Sequence, residues 1–322
     1  MSEQYTYAVA RVRAKELTLL NRVDIDQILA CKTYDDARNV LNDKGFGDGE
    51  NFATLEELLE YEREKMWKFI HELVGEESEF EIFLYKNDFH NLKAAIKSQL
   101  TGSHTQGLFS NNGTVPPEDI RAAIKSRDYT SLPMHLKGVA EEAVDVLLKT
   151  GDGQECDIII DKATMLAIRD EGRKSKVSMI DKYTELIVAL ADIKIAVRCA
   201  KTDKSIHFIK RALAECDTLN IESLAVASSK SLDDLYKYLE NTIYSPVIAE
   251  LEHSMSAFEK WCDDRIMSLI RVQKTNSFTI APIIAYMLAR ENEIKAVQIV
   301  MTGKLHDIND KLIKERVRDL YV

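Results

Sequence analysis

Residues 85–102 read YKNDFHNLKAAIKSQLTG, and the chain repeats the centre of this stretch twice more. The NLK of Asn91–Lys93 returns as DIK at Asp192–Lys194 and as EIK at Glu293–Lys295, so that the three lysines stand 101 residues apart. A fixed long period is typical of a chain built from copies of one structural unit. The sequence therefore predicts three related domains, with approximate limits 1–115, 116–218 and 219–322.

Each copy predicts a helix with a single apolar face. Leu92, Ala95 and Ile96 share that face at the i, i+3, i+4 spacing, and the matching positions are apolar in the other copies except Gln298 in the third. The polar residue and the lysine on either side of the anchoring Leu or Ile are two residues apart and cannot face each other. We expect them either to border the buried stripe or to reach a partner on another helix.

The composition is that of a globular protein with an acidic balance. The chain has 322 residues, 43 Lys and Arg against 53 Asp and Glu, and a net charge of −10, which disfavours a large phosphate-binding surface. The five cysteines are widely separated and form no CxxC pair, which predicts free thiols in a reducing compartment. The most apolar stretches, Ile187–Val197 and Ile280–Leu288, are too short to span a bilayer, so we expect a soluble intracellular chain.

The secondary-structure pattern predicts an all-α fold. Thr54 and Glu57 form a capping-box pattern at the start of a long helix that Gly75 ends, and prolines with acids at 116–119 begin another. Glu250–Arg271 and Asp310–Tyr321 each read as one amphipathic helix. No run alternates as a half-buried strand would.

Catalytic patterns are missing from the sequence. It has no P-loop, GxGxxG, GxSxG or HExxH motif, and its seven histidines have no ligand spacing. The neighbours Asp88 and His90 could form an acid–base pair, but the other copies do not keep the histidine. Adjacent aspartates such as Asp263-Asp264 lack the further acid of a magnesium site and read as helix starts or solvated faces, and the Asp157 and Asp161 pair reads as helix-opening charge beside Lys162. We expect no catalytic residue, no cofactor and no metal.

Several stretches together resemble a known family. They are YTYAVARVRAKELTLL near the start, FLYKNDFHNLKAAIKSQLTG, CDIIIDKATM, and IAPIIAYMLARENEIKAVQIVMTGK followed by IKERV. In this order they resemble the C/d subunit family of the rotary V/A-type ATPases, and the resemblance covers nearly the whole chain. Ala163-Thr164 departs from it, since an aromatic residue often follows the preceding Asp-Lys pair in the family.

The resemblance implies a funnel of three similar helical domains around a pseudo-threefold axis. It implies a non-catalytic central-stalk adaptor on the inner, cytoplasmic face of the membrane. This adaptor would couple the rotor shaft, made of the D and F subunits, to the membrane proteolipid ring during proton or sodium transport or ATP synthesis. The chain is shorter than eukaryotic d subunits, which favours a prokaryotic complex.

Contact residues are expected at the polar edges of the repeats and near the start of the chain. These candidates are either partner contacts or polar contacts between repeats: Arg11, Arg13, Asn91, Lys93, Asp192, Lys194, Glu293 and Lys295. The loop Ser103–Thr114, rich in Gly, Asn and Ser, is expected to be mobile and is a candidate for contact with the ring. Two other classes stay open, a helical-repeat scaffold and an all-α metal-dependent enzyme.

Overall fold

A computed structural model of the chain describes residues 5–75, 78–101 and 109–322. Within these ranges all regular secondary structure is helical, which confirms the all-α prediction. The first helices are α1 (Thr6–Glu16), α2 (Arg22–Ala30), α3 (Tyr34–Asp43), α4 (Leu55–Val74), α5 (Tyr85–Thr101), α6 (Pro117–Ser126), α7 (Met134–Thr150) and α8 (Gly153–Lys174). The remaining helices are α9 (Ser178–Lys201), α10 (Ile206–Ala212), α11 (Ile221–Lys230), α12 (Leu232–Glu240), α13 (Val247–His253), α14 (Met255–Arg271), α15 (Ala281–Leu305) and α16 (Asp310–Arg316).

The backbone divides into two compact units. Unit 1 combines the two ends of the chain, Met1–Glu77 and Pro246–Val322, whereas unit 2 is the continuous segment Ser78–Ser245. Contacts therefore group the N-terminal helices with the third repeat helix, and the first two repeat helices with each other. The division into three repeat domains and their pseudo-threefold relation stay predictions.

In unit 1, the third repeat helix is the central element. Helix α15 packs against α1, α2, α3, α4, α14 and α16. Its Ile294, Val297 and Met301 are fully or almost fully buried, together with Ile25 of α2 and Leu41 of α3. A helix that is apolar on nearly all sides is stable only inside a core, so the N-terminal helices supply the surroundings that α15 needs.

In unit 2, helices α8 and α9 form the packed centre. Helix α8 contacts α5, α7, α9 and α10, and α9 also contacts α11 and α12. The crossing of α8 with α9 is close, because a Cβ placed on Gly172 would lie 2.1 Å from Oγ1 of Thr184. Only glycine allows the two helices to approach this far.

The three repeat helices form as predicted, with small differences at their ends. Helix α5 begins at Tyr85, after a 3₁₀ turn at Ser78–Phe83, and α15 continues to Leu305. The capping box of Thr54 and Glu57 is present at the start of α4, and Gly75 ends that helix with φ of 67°. Pro117 starts α6.

Two helix predictions were wrong. Glu250–Arg271 is not one helix, because Ser254 adopts an extended conformation and its side chain accepts a hydrogen bond from the N–H of Ala257, which starts α14 anew. The last helix ends at Arg316 rather than Tyr321, since Val317 is extended. The residues after this helix still belong to unit 1, and Leu320 and Tyr321 among them are buried.

Candidate functional site: repeat-helix polar residues and a cationic pocket

The polar residue that precedes each anchoring Leu or Ile is buried and holds a neighbouring segment by its backbone. Asn91 accepts a hydrogen bond from the N–H of Ser110 and donates one to its carbonyl, both at 2.8 Å. Asp192 accepts from the N–H of Ala214 at 2.9 Å, and Glu293 from the N–H of Leu20 at 2.5 Å. These three candidates therefore make polar contacts inside the chain, each with a segment that the sequence alone did not identify.

Two further carboxylates in unit 2, one on α5 and one on α9, hold the same connecting segments. Oδ1 of Asp88 accepts the N–H of Thr114 at 2.8 Å, and Oδ2 accepts its hydroxyl at 2.6 Å. Oε1 of Glu185 accepts both the N–H and the hydroxyl of Thr218, at 2.8 and 2.7 Å. Both threonines lie three residues before a short helix, so in both places a carboxylate of the preceding repeat helix fixes the approach to that short helix.

Asp88 does not pair with His90, although the two are neighbours in sequence. Besides Thr114 it accepts from the N–H of Val115 at 3.1 Å and approaches His135 of α7, with 3.4 Å between Oδ2 and Nε2. The ring of His135 stacks on Tyr85 with centroids 4.2 Å apart. Sequence reasoning missed His135 because it lies 47 residues away.

The loop expected to be mobile is held where the structure describes it. Residues 103–108 lie outside the described residues. Ser110, Asn112 and Thr114 are bonded to Asn91, Asn87 and Asp88 respectively, all on α5. Contact of this loop with a membrane ring stays a prediction.

Asp192 is the most unusual titratable group of the three repeat positions. It is fully buried, and its Oδ2 has no hydrogen-bond partner. Burial raises the pKa of Asp192 to about 7, although the hydrogen bond from Ala214 opposes that shift. Burial also raises the pKa of the nearby Cys216 thiol to about 12, with Asp192 and Glu185 contributing. The segment 213–219 is therefore anchored by acids in a poorly solvated place.

Two lysines of the first repeat helix bind acids of α8. Lys93 lies 2.7 Å from Asp161 on α8, and Lys97 lies 2.9 Å from Asp157. Helix-opening charge was therefore the wrong interpretation of these two aspartates, because they join α8 to α5.

The lysine of the third copy also binds an acid on a neighbouring helix. Lys295 lies 2.5 Å from Asp263 on α14, which also accepts Nε of Arg318 at 2.7 Å. Asp263 is therefore neither a helix start nor a solvated residue. Lys194 is half-buried.

The two arginine candidates of α1 differ in their surroundings. Arg13 donates to both carboxylate oxygens of Glu16 and to the carbonyls of Gln273 and Asn276, at 2.6 and 2.9 Å. It thus joins α1 to the segment before α15. Arg11 is half-exposed, stands 3.8 Å from Glu72 and lies over the ring of Phe69 at 5.2 Å. Of the two, Arg11 is the one that faces open space.

Arg11 lines a pocket of about 480 Å³ in unit 1. The walls come from α1 and α4, and Tyr286 and Arg290 of α15 also line it. Its cationic lining residues are Arg11, Lys15, Lys44, Lys65, Lys68 and Arg290, and its acidic ones are Asp48, Glu62 and Glu72. A chain with a net charge of −10 therefore has a locally cationic pocket.

A buried ion network lies beneath this pocket. Arg290 donates to Glu62 and to Glu293, and its guanidinium lies 4.5 Å from the ring centre of Phe46. Glu62 also accepts the N–H of Gly47 at 2.6 Å. Burial raises the pKa of Glu293, while Arg290 and the Leu20 N–H oppose the shift. Arg290 thus compensates two buried carboxylates, together with Lys65 at 3.4 Å from Glu62 and the backbone donors.

Comparison with known proteins identifies the family. The family model described as ATP synthase (C/AC39) subunit matches residues 8–316. The chain belongs to this family. Membership makes it a stalk component of a rotary complex and not a catalytic enzyme on its own.

Relatives in this family align with the chain over most of their own length. The C subunit of the V-type sodium ATPase of Enterococcus hirae is 22% identical over 96% of this chain and 97% of its own. The C subunit of the A-type ATP synthase of Methanocaldococcus jannaschii is 20% identical over 96% and 85%, and that of a Desulfurococcus species is 23% identical over 98% and 90%.

In the part of the chain that the structure describes, no group of three or more His, Cys, Asp or Glu is arranged to hold a metal ion. Among the described helices none has the length and apolar character needed to cross a membrane. All five cysteines are free thiols, as the sequence predicted.

Proposed function

We propose that the chain is the central-stalk adaptor that joins the rotor shaft, the D and F subunits, to the membrane proteolipid ring. The observation that carries the proposal is the match to the ATP synthase (C/AC39) family over residues 8–316. In this role the chain works on the inner, cytoplasmic side of the membrane, in a complex that transports protons or sodium ions, in the direction of pumping or of ATP synthesis. Its relatives belong both to a V-type sodium ATPase and to A-type ATP synthases.

Torque transmission requires stiffness rather than catalysis. The three repeat helices are the most buried elements of their units, and each holds a distant segment through a buried polar side chain. Because packed interiors deform little, a rotation applied to one face of such a unit is passed on with small loss. This supports an adaptor that turns with the rotor as a rigid part.

Partner contact falls most naturally on the exposed candidates. Asn91, Asp192 and Glu293 are buried at 2% exposure or less, so we assign them to polar contacts inside the chain. Arg11, Lys93 and Lys295 keep part of their side chains exposed. We propose that these cations border surfaces that meet the shaft or the ring.

The test is reconstitution with both partners. The purified chain would be mixed with the D–F pair and, separately, with the detergent-solubilised proteolipid ring, and each mixture analysed by pull-down and size-exclusion chromatography. We expect a one-to-one complex with the shaft pair and one copy per ring. A chain that is helical by circular dichroism yet binds neither partner would overturn the proposal in favour of a helical scaffold.

A further inference from the structure

The cationic pocket of unit 1 has more positive charge than its own residues neutralise. Its lining has six Lys and Arg but three Asp and Glu. Lys15 and Lys68 are exposed and form no ion pair with any residue that the structure describes, and Arg11 has Glu72 only at 3.8 Å. Unpaired cations around a concavity attract anions, and the concavity strengthens that attraction.

The cations stand on two helices that line the pocket. Arg11 and Lys15 are four residues apart on α1, and Lys65 and Lys68 are three apart on α4. These spacings place each pair on one face of its helix, about one turn apart. Lys65 is already paired with Asp48 at 2.7 Å, so the unpaired charges that border the pocket are Lys15 on α1 and Lys68 on α4.

Apolar side chains form the floor of the pocket. Met66 and Phe69 of α4 and Tyr286 of α15 line the pocket and are buried. Arg11 and Lys15 both lie over the ring of Phe69, at 5.2 and 5.7 Å from its centre. The volume of about 480 Å³ is in the range of pockets that hold several side chains of a ligand.

The buried ion network makes the floor rigid without adding net positive charge. Arg290 is compensated by Glu62 and Glu293, and the N–H of Gly47 is donated to Glu62. The backbone donor and the arginine that would favour a phosphate group are thus already engaged. A ligand meets the lysines of the rim instead.

We propose that this pocket binds an acidic segment of a partner polypeptide. Asp or Glu side chains spaced along that segment pair with Lys15 on α1 and with Lys68 on α4. Unpaired lysines on two different helices fit carboxylates distributed along a chain better than one compact anion. The inference rests on the proposed function, since that function supplies partner subunits, and it assigns local acidity to the segment that enters this pocket.

A peptide assay tests the pocket directly. The probe is a fluorescein-labelled peptide in which Glu and Leu alternate, with a Gln-for-Glu version as its counterpart, and binding to the full chain is followed by anisotropy. We expect the Glu peptide alone to bind, with affinity falling as salt is added. In the double variant Lys15→Glu with Lys68→Glu, we expect binding at least about tenfold weaker, because two attractive pairs become repulsive.

The matched control reverses two exposed lysines of unit 2, Lys137→Glu with Lys230→Glu, and changes the net charge by the same amount. Its affinity should stay within about twofold of the unaltered chain. Equal weakening in both double variants would mean that overall charge governs binding, and the proposal would fall. It would also fall if tripolyphosphate displaced the peptide at a lower concentration than the free peptide does, since a compact anion would then be the better ligand.

Capture of the D–F pair and of the proteolipid ring by the same variants separates this inference from the proposed function. Weaker capture of one partner by Lys15→Glu with Lys68→Glu alone supports the pocket and shows which partner supplies the acidic segment. Capture of both partners that is unchanged by this reversal overturns the pocket while the adaptor stands. If the unaltered chain captures neither partner, the adaptor proposal fails, and the pocket with a partner segment fails with it.

Discussion

At the scale of single residues, one repeat position shows how different side chains solve the same problem. The amide of Asn91 both donates to Ser110 and accepts from it, which satisfies both peptide groups. The carboxylate of Asp192 can only accept when ionised, and its Oδ2 is left without a partner. The second copy thus keeps the backbone contact at the cost of a buried charge.

Replacing Asp192 with asparagine should change how stability depends on pH. Its folded-state pKa of about 7 lies above the ordinary value of 3.8, so ionisation opposes folding. That penalty is absent below about pH 4, grows towards pH 7 and is complete above it. The difference in unfolding free energy between Asp192→Asn and the unaltered chain should therefore grow by on the order of 2–3 kcal/mol in favour of the variant from about pH 5 to about pH 8. Urea unfolding followed by circular dichroism measures it. The converse variant, Asn91→Asp, should lose stability at neutral pH. If the free energy of unfolding changed with pH in the same way in Asp192→Asn as in the unaltered chain, the argument would be contradicted.

A second prediction concerns Arg290. Arg290→Met should destabilise the chain by about 3–5 kcal/mol, because it leaves Glu293 buried without its cation and Glu62 with only Lys65 at 3.4 Å. Adding Glu62→Gln and Glu293→Gln should recover part of that loss. Lys149→Met breaks an exposed pair with Asp145 and should change stability by no more than about 0.5 kcal/mol. Thermal and urea unfolding would measure all three, and a loss at Arg290 as small as that at Lys149 would contradict a structural role.

At the scale of elements, close packing rather than polar contact decides how α8 meets α9. Gly172 of α8 leaves no room for a methyl group beside Thr184, whereas Gly138 of α7 is exposed, and a methyl group there would have nothing within 4 Å. These two glycines therefore differ in their role in packing. One allows a crossing, and the other has no packing role.

The pair provides an internally controlled experiment. Gly172→Ala should destabilise the chain by about 1–3 kcal/mol through overpacking. Gly138→Ala should stabilise it by up to about 1 kcal/mol, since alanine favours the helix. Urea unfolding of both variants tests the contrast, which would be refuted by the same sign of change at both positions.

Local features of the elements could be predicted from sequence, but long-range partners could not. The repeat helices, the Thr54 capping box and the proline start of α6 depend on residues a few positions apart. The contacts of Glu293 with Leu20 and of Arg290 with Glu62 join residues 273 and 228 positions apart. The break at Ser254 was detectable, because serine is a strong N-cap, but the continuous apolar pattern of Glu250–Arg271 concealed it.

At the scale of the whole molecule, the two units differ in how the chain forms them. Unit 2 is one continuous segment, whereas unit 1 needs both ends of the chain. Charge also varies by place, since the net charge is −10 but the pocket of unit 1 is cationic. Net charge alone would favour a basic partner, and the pocket favours an acidic one.

The continuity of unit 2 predicts independent folding. The isolated segment 78–245 should be helical and unfold cooperatively, because its core lies within the segment. Segment 246–322 alone should not form a cooperative fold, since the buried face of α15 packs on α1–α4. Mixing it with 1–77 should restore helical signal and a thermal transition in circular dichroism. Cooperative unfolding of 246–322 by itself would contradict this view of unit 1.

The union of both chain ends in unit 1 has a consequence for biosynthesis. Helices α1–α4 leave the ribosome first, but α15, on which they pack, is completed at Leu305. At about 5–20 residues per second, their apolar faces wait roughly 10–50 s for their partner. During that interval the nascent N-terminal helices are a natural client for a chaperone, while unit 2 can already fold.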